Sequence, residues 1–218
     1  MIKIPKLKID FVSENSPNRP GTISDMKWIT IHNTANPNST AQNERDYVAI
    51  RKDRASFHYA VDDREAIAII PESEIAWHTG TELGNKTSIG IEICESGNQE
   101  ETYNNALTLI AKILKDRNWG IDKVRTHKSW NGKNCPRRLL AVWDKFLQDI
   151  QITLLAIRKL KGKETNDLWK FEGLQYLYER GILHEVEGWA NKIEEPMPVW
   201  AVSLLLMKLD QNLRKQIK

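Results

Sequence analysis

Two segments with strict alternation of side chains constrain this chain most. Residues 26–32 read MKWITIH, and residues 88–94 read SIGIEIC. A period of two places neighbouring side chains on opposite faces of an extended chain, so each segment predicts a β-strand. In the second strand three isoleucines face one way, while Gly90, Glu92 and Cys94 face the other. A largely buried sheet is therefore the expected centre of the fold.

Segments with helical spacing separate these predicted strands. Residues 39–52 suit an amphipathic helix, and residues 103–119 carry leucine and isoleucine at helical spacing, with Gly120 as the stop. The shorter predicted elements are a hairpin of residues 57–61 and 66–70, a strand at 124–127 and a helix that begins near residue 138. The first twenty residues contain three prolines and predict an extended arm. Because strands and helices alternate, we expect an α/β fold with a central mixed β-sheet flanked by helices.

The composition and charge exclude several classes of protein. The 218 residues, 28% of them charged and 40% hydrophobic, suit one medium globular domain with a small appendage. A net charge of +3 is too small to indicate a nucleic-acid partner. There is no apolar run of about 18 residues that would predict a membrane-spanning helix. The first ten residues lack the apolar stretch of a signal peptide, so we expect synthesis in the cytoplasm.

A change of composition predicts a second, smaller domain. Residues 159–164 read KLKGKE and predict a charged linker, beyond which aromatic side chains become frequent. Pro198 can occupy the first turn of a last helix. We therefore expect one domain at residues 1–160 and a small all-α C-terminal module at residues 161–218. The aromatic side chains of the module either form a helical core or line a binding site for a glycan.

Three residues of metal-binding type lie at or near the ends of predicted strands. His32 and His127 each end a strand, and Cys135 follows in a loop. Strand ends and adjacent loops are where sites are assembled in such sheets. Two imidazoles and one thiolate form a three-ligand set for Zn²⁺ that leaves a fourth position for water. A closed structural site would need a fourth protein ligand, for which Cys94 or His58 is available.

Two further residues are candidates for the proton carrier and the oxyanion-stabilising group of a zinc hydrolase. Glu92 lies in the middle of an apolar strand, where it either faces a polar cleft or forms a salt bridge at a sheet edge. Lys133 stands two residues before Cys135, so it either points towards the metal or is a solvated loop lysine. The residues alone leave these alternatives open.

Five motifs that occur in one order carry a family resemblance. They are WITIHNT at residues 28–34, SFHY at 56–59, AWHTG at 76–80, SIGIE at 88–92, and RTH at 125–127 followed by KNCP at 133–136. With this set the chain resembles the type 2 N-acetylmuramoyl-L-alanine amidases, the superfamily of T7 lysozyme and the peptidoglycan recognition proteins. Within it, the chain is most similar to phage and prophage endolysins of Bacillus and Clostridium. The resemblance covers roughly residues 27–146.

The resemblance implies a zinc groove in the α/β domain and assigns roles to its residues. It implies that His32, His127 and Cys135 bind Zn²⁺. Glu92 matches the catalytic glutamate of the family, and Lys133 matches the lysine before the cysteine ligand. Glu92 is therefore expected to carry the proton, and Lys133 is expected to stabilise the oxyanion.

Three residues beside the expected groove are candidates for substrate binding. T7 lysozyme has a hairpin tyrosine that is proposed to assist catalysis, whereas this chain has Phe57, so we expect that role to pass to Glu92. Trp77 and His78 belong to the AWHTG motif. The resemblance implies that His78 lies at the rim of the groove, where it either contacts substrate or is structural.

The activity that the resemblance implies is hydrolysis of the amide bond between N-acetylmuramic acid and L-alanine in peptidoglycan. The expected biological role is that of an endolysin that reaches the cell wall after holin-dependent release. The alternatives are a host autolysin, a muropeptide-recycling amidase, a non-catalytic peptidoglycan-binding module and a structural zinc protein. The C-terminal module is expected to bind the wall, through a secondary wall polymer for example, or to mediate a homo-oligomer.

Overall fold

The computed structural model describes residues 5–159, 173–174, 176–177, 180, 182–183, 188–189, 192 and 195–216. The chain divides into two compact units, one ending at Gln151 and the other beginning at Ile152. Nearly all of the predicted linker and much of the aromatic-rich segment lie outside the described residues. The domain boundary between residues 160 and 161 therefore stays a prediction.

Six strands form one mixed sheet in the first unit. They are β1 (Lys6–Ile9), β2 (Trp28–Asn33), β3 (Tyr59–Val61), β4 (Glu65–Ala68), β5 (Ser88–Ile93) and β6 (Val124–Thr126). Their order across the sheet is β1-β4-β3-β5-β2-β6. The hairpin β3–β4 is antiparallel, and the other neighbouring pairs are parallel. The predicted central mixed sheet is confirmed.

Helices flank this sheet in the first unit. They are α1 (Ala41–Ile50), α2 (Glu82–Thr87), α3 (Gln99–Asp116), α4 (Lys128–Asn131) and the start of α5 (Trp143–Lys159). In the second unit the structure describes the rest of α5 and α6 (Val199–Gln216). The predicted amphipathic helix is α1, which Thr40 caps by accepting a hydrogen bond from the Asn43 amide. The short helices α2 and α4 were not predicted from the sequence.

The bounds of α3 differ from the prediction because polar residues define its ends. The Asn98 side chain accepts hydrogen bonds from the amides of Glu100 and Glu101, so the helix begins four residues before the predicted start. It ends at Asp116, followed by Asn118 with a φ of 54°, instead of continuing to Gly120. Asparagine tolerates this left-handed conformation, which turns the chain out of the helix.

The predicted extended arm is in part a strand of the sheet. β1 pairs in parallel with β4, so that Lys6 lies beside Glu65. The pairing continues beyond the strand, since the Val12 amide donates to the Ile69 carbonyl at 3.0 Å. The arm is therefore fixed to the edge of the sheet by backbone hydrogen bonds.

The central strands β2 and β5 position the candidate site. Their isoleucines, including Ile29, Ile31 and Ile91, are fully buried. The parallel register places His32 directly beside Glu92. Because neighbouring residues in register face the same side of a sheet, both polar side chains lie on one face, at the carboxyl-terminal end of the strands.

The second unit contains a small apolar core. Its buried members and the side chains packed against them are Leu155, Ala156, Leu174, Leu183, Leu177, Trp189 and Leu205. The predicted last helix is confirmed as α6, which follows Pro198. Over the described part of the chain, every helix is too short or too polar to cross a lipid bilayer.

Candidate active site and metal centre

Two histidines and a cysteine from separate elements meet at the carboxyl-terminal edge of the parallel strands. His32 lies near the end of β2, His127 directly follows β6, and Cys135 lies in the loop after α4. The Nδ1 atom of His32 lies 3.0 Å from Nδ1 of His127 and 3.8 Å from Sγ of Cys135. One ligand atom from each residue lies within 4.8 Å of the other two, and all three residues are buried. We call these three residues the His–His–Cys cluster.

The hydrogen bonds behind His32 fix which of its nitrogens faces the cluster. Nε2 of His78 lies 3.1 Å from the Ser88 carbonyl oxygen, which can only accept, so this nitrogen carries the hydrogen. Burial lowers the pKa of His78 to about 3, so its ring is neutral and Nδ1 keeps a lone pair. Nε2 of His32, 2.9 Å away, therefore donates to His78. Nδ1 of His32 is left with its lone pair directed into the cluster.

The same reasoning applies to His127. Its Nε2 lies 3.1 Å from the Thr79 carbonyl oxygen, which can only accept, and also 3.1 Å from the Asn131 side-chain nitrogen. In the tautomer with hydrogen on Nε2, the ring donates to Thr79. The Asn131 side-chain amide donates to the same oxygen at 2.8 Å. Burial lowers the pKa of His127, which keeps the ring neutral. Its Nδ1 consequently also presents a lone pair to the cluster.

Two lone pairs that face each other at 3.0 Å are the observation that fits a metal ion. In these tautomers neither nitrogen has a hydrogen to donate to the other, and a shared cation satisfies both lone pairs. Burial raises the pKa of the Cys135 thiol to about 11, and metal coordination is what deprotonates such a thiol. The His–His–Cys cluster is therefore able to bind a metal.

The two residues considered as a fourth protein ligand are used elsewhere. His58 accepts from the Gly90 amide at Nδ1, over 2.9 Å, and its Nε2 lies 2.8 Å from the Glu74 carbonyl oxygen. Cys94 is buried in an apolar cluster with Val48 and Ile69. Among the described residues the cluster thus contains three protein donors, which corresponds to an open site.

Glu92 lies next to the cluster without a partner for one of its oxygens. Oε1 lies 3.9 Å from Nδ1 of His32, and Oε2 is buried without a hydrogen-bond partner within the described part of the chain. Burial, followed by the negative charge of Glu44, raises the pKa of this carboxyl to about 8. β5 lies between β3 and β2, so Glu92 is not on an edge strand. The polar-cleft alternative is the one that the fold provides.

Lys133 stands in the exposed loop between α4 and Cys135, and it lines the same groove as the cluster. Its backbone amide donates to the Asn131 side-chain oxygen at 3.0 Å, which holds the loop. Burial is the largest cause that lowers the pKa of His127, and the positive charge of Lys133 is the second largest. The Lys133 charge is therefore felt at the cluster, where it would stabilise a developing negative charge.

A groove of about 730 Å³ opens over the cluster, and the three candidate substrate-binding residues line it. Phe57 is buried in the groove wall, and Trp77 is half-buried, with the Arg54 guanidinium 5.5 Å above its ring. His78 also lines the groove, but both of its ring nitrogens are engaged, by His32 and by Ser88. Only its ring carbons remain available to a substrate.

Helix α1 contributes groove residues that were not predicted from the sequence. Glu44 is buried, accepts a hydrogen bond from the Ser39 hydroxyl and lines the groove together with Tyr47. A signal was present, because Glu44 lies on the same helix face as the buried Ala41 and Val48. A carboxylate on the apolar face of a helix indicates that this face borders a polar cleft.

Comparisons with known proteins agree with this geometry. Residues 22–138 match the family described as N-acetylmuramoyl-L-alanine amidase. The chain is 43% identical over 144 residues to the N-acetylmuramoyl-L-alanine amidase CwlA of Bacillus subtilis (strain 168), covering 63% of this chain and 52% of that protein. It is 46% identical over 127 residues to XlyB, an N-acetylmuramoyl-L-alanine amidase of the same strain, covering 54% of this chain and 40% of that protein.

A solved structure extends the match to the fold. The catalytic domain of XlyA aligns with a TM-score of 0.64 at 38% identity, covering 66% of this chain and 99% of that one. The chain spans about half the length of the curated relatives it matches. The family match covers more than half of the 218 residues and includes the whole His–His–Cys cluster and Glu92. The chain belongs to the N-acetylmuramoyl-L-alanine amidase family.

Proposed function

We propose that this protein is a zinc-dependent amidase that hydrolyses the bond between N-acetylmuramic acid and L-alanine in peptidoglycan. The observation that carries the proposal is the open His–His–Cys cluster with Glu92 beside it, at the floor of a groove, in a chain of the amidase family. A groove open to solvent suits a polymeric substrate, which must enter from the side.

We assign Zn²⁺ to His32, His127 and Cys135, which would hold it through Nδ1, Nδ1 and Sγ. Histidine nitrogen and cysteine sulfur are both zinc ligands, and catalytic zinc sites use three protein ligands with water in the fourth position. When bound, zinc supplies Lewis acidity to water and to the carbonyl group of the substrate. The chain itself supplies the neutral histidines with their lone pairs already directed inward.

We assign the proton transfers to Glu92. Its carboxylate accepts a proton from the attacking water and returns it to the nitrogen of L-alanine as the amide bond breaks. The unpartnered Oε2 suits this role, because no hydrogen bond within the described residues has to be broken first. The ammonium group of Lys133 stabilises the negative charge that develops on the carbonyl oxygen of the lactyl group.

The groove walls are assigned to substrate binding. Phe57 and Trp77 offer apolar surface on which sugar or peptide carbons can pack, and Arg54 extends the Trp77 surface with a positive charge. His78 contributes its ring edge to the wall, since its nitrogens are already engaged. These contacts would orient the amide bond over Glu92.

We further propose that the protein works as a phage or prophage endolysin, released to the wall with the help of a holin. Residues 1–160 then form the catalytic domain, and residues 161–218 hold the enzyme on the wall or join two copies. In the second unit a pocket lined by Trp189, Trp200 and Met197 supports a binding role for this part of the chain. Its ligand would be a glycan or a secondary wall polymer.

Digestion of a defined soluble muropeptide tests the catalytic proposal. Mass spectrometry should detect the free stem peptide with an L-alanine amino terminus, together with the N-acetylmuramic acid product. A chelator should abolish the reaction, and added Zn²⁺ should restore it. Binding of the muropeptide without any cleavage by zinc-loaded protein would instead identify a non-catalytic binding module and overturn the proposal.

A further inference from the structure

We propose that residues 78–80, anchored by Asn85, form a single positioning element that fixes both metal-binding histidines in the tautomer the metal requires. The inference rests on the proposed zinc site. It assigns to this segment a task other than the substrate contact predicted from the sequence. Metal-bound histidines generally need a second group that holds the outer ring nitrogen, and here two consecutive residues supply both such groups.

The first contact is a relay of two hydrogen bonds that ends on His32. The Ser88 carbonyl oxygen accepts from Nε2 of His78 at 3.1 Å, and Nδ1 of His78 accepts from Nε2 of His32 at 2.9 Å. The relay requires that the His78 ring lie directly on strand β5. A Cβ atom at Gly90 would come within 2.7 Å of that ring, so only glycine leaves it this space.

The second contact holds His127. The Thr79 carbonyl oxygen accepts from Nε2 of His127 at 3.1 Å. The peptide that follows leads into Gly80, whose φ of 69° favours glycine. The Thr79 carbonyl oxygen is the acceptor that faces Nε2 of His127, and the Asn131 side-chain amide lies 3.1 Å from the same nitrogen. Adjacent residues of one segment thus act on both histidines of the cluster.

Asn85 in α2 fixes the segment itself. Its Oδ1 accepts three hydrogen bonds, from the amides of His78 (3.0 Å) and Thr79 (2.8 Å) and from the Thr79 hydroxyl (3.0 Å). Helix α2 packs without a gap here, because a Cβ atom at Gly84 would lie 2.4 Å from Oγ1 of Thr79. One acceptor atom therefore holds the backbone that orients the two ligands.

Paired substitutions separate positioning from simple packing. His78→Gln keeps a donor and an acceptor, whereas His78→Phe fills the space without either. Asn85→Asp keeps an acceptor oxygen, whereas Asn85→Ala removes it. Zinc affinity is measured by competition with a chromophoric chelator, on protein that circular dichroism shows to be folded. We expect His78→Phe and Asn85→Ala to bind Zn²⁺ about 10- to 100-fold more weakly than the wild type, and their partners to stay within a few-fold.

A second readout in zinc-free protein concerns the tautomer directly. Histidine ¹⁵N shifts of the wild type should report hydrogen on Nε2 of both His32 and His127, and His78→Phe should mix the two tautomers of His32. Unchanged zinc affinity in folded His78→Phe, or an unchanged His32 tautomer, would overturn the inference. If Asn85→Ala does not fold, the His78 pair decides. Wild-type protein that binds Zn²⁺ but does not cleave a muropeptide would remove the proposed function and leave this inference standing.

Discussion

Replacing Glu92 by glutamine should stabilise the zinc-free fold while it removes the activity. The carboxyl is buried beside His32, its Oε2 has no partner among the described residues, and burial raises its pKa from 4.5 to about 8. At pH 7 the unfolded chain therefore ionises this group, whereas the folded protein keeps it protonated. Glutamine has nearly the same shape and polarity as the neutral acid, and it has no ionised form to favour the unfolded chain.

The sign and size of the effect follow from the direction of the pKa shift. A raised pKa means that the folded state binds more protons, so stability falls as the pH rises from 4.5 towards 8. At pH 7, about 2.5 pH units above the unfolded value, the loss is about 3 kcal/mol at 1.36 kcal/mol per unit. Glu92→Gln should recover this amount at pH 7 and nearly none of it at pH 4.

The assay is chemical denaturation of chelator-treated wild type and Glu92→Gln between pH 4 and pH 8. Glu95→Gln is the matched control, because the Arg137 and Arg138 side chains bind this buried carboxylate and Arg137 lowers its pKa. The control should lose stability at pH 7 instead of gaining it. With zinc restored, Glu92→Gln should turn over muropeptide about 100-fold more slowly or worse, the usual effect of losing a general base. A folded, zinc-loaded Glu92→Gln with near-normal turnover, or one that is destabilised at pH 7, refutes the reasoning.

Three further predictions concern the metal, the strand under His78 and the tail. Cys135→Ser should bind less than one zinc per chain by metal analysis. The control Cys94→Ala, which changes the apolar core, should keep the wild-type zinc content. A wild-type zinc content in Cys135→Ser would remove that residue from the site. Gly90→Ala should lower the free energy of unfolding by about 1–3 kcal/mol, because the added methyl group overpacks against His78. The same variant should bind zinc more weakly, and a wild-type zinc affinity would contradict this. A monodisperse chain ending at residue 163 should cleave soluble muropeptide as fast as the full chain. It should lose activity on intact cells, because attachment of the enzyme to the wall raises its local concentration there. Failure to cleave the soluble substrate would make the tail part of the catalytic unit.

The sheet could be predicted where the pattern is local. Alternation in β2 and β5 was enough to identify both strands, because each is defined by its own side chains. β1 was missed although KLKI alternates, because a four-residue pattern is too short to identify a strand and β1 forms by pairing with β4, about sixty residues away. Likewise, the start of α3 depends on the single capping side chain of Asn98.

The candidate site shows the same division between local and spatial information. The sequence was enough to single out the site residues. His32 stands at a strand end, Glu92 on the polar face of a strand and Cys135 in a loop, and the family resemblance points to the same residues. The direction of the ring nitrogens could not be predicted, because it depends on carbonyl groups of Ser88 and Thr79 that no motif describes. For His78 the sequence left substrate contact and a structural role open, and in the structure both of its ring nitrogens face the protein.

The zinc-free site concentrates two unfavourable features that a cation removes together. The Nδ1 lone pairs of His32 and His127 face each other at 3.0 Å, and the Glu92 carboxyl is buried without a partner for Oε2 in the described part of the chain. The hydrogen bonds of His32 to His78 and of His127 to Thr79 hold the two rings in this orientation. A dication satisfies both lone pairs and favours the ionised carboxylate next to them. The free energy of metal binding should therefore appear as folding stability, and at a zinc concentration 100 times the dissociation constant the gain is about 2.7 kcal/mol. The residues that make the metal-free fold less stable are thus the ones to which we assign metal binding and proton transfer.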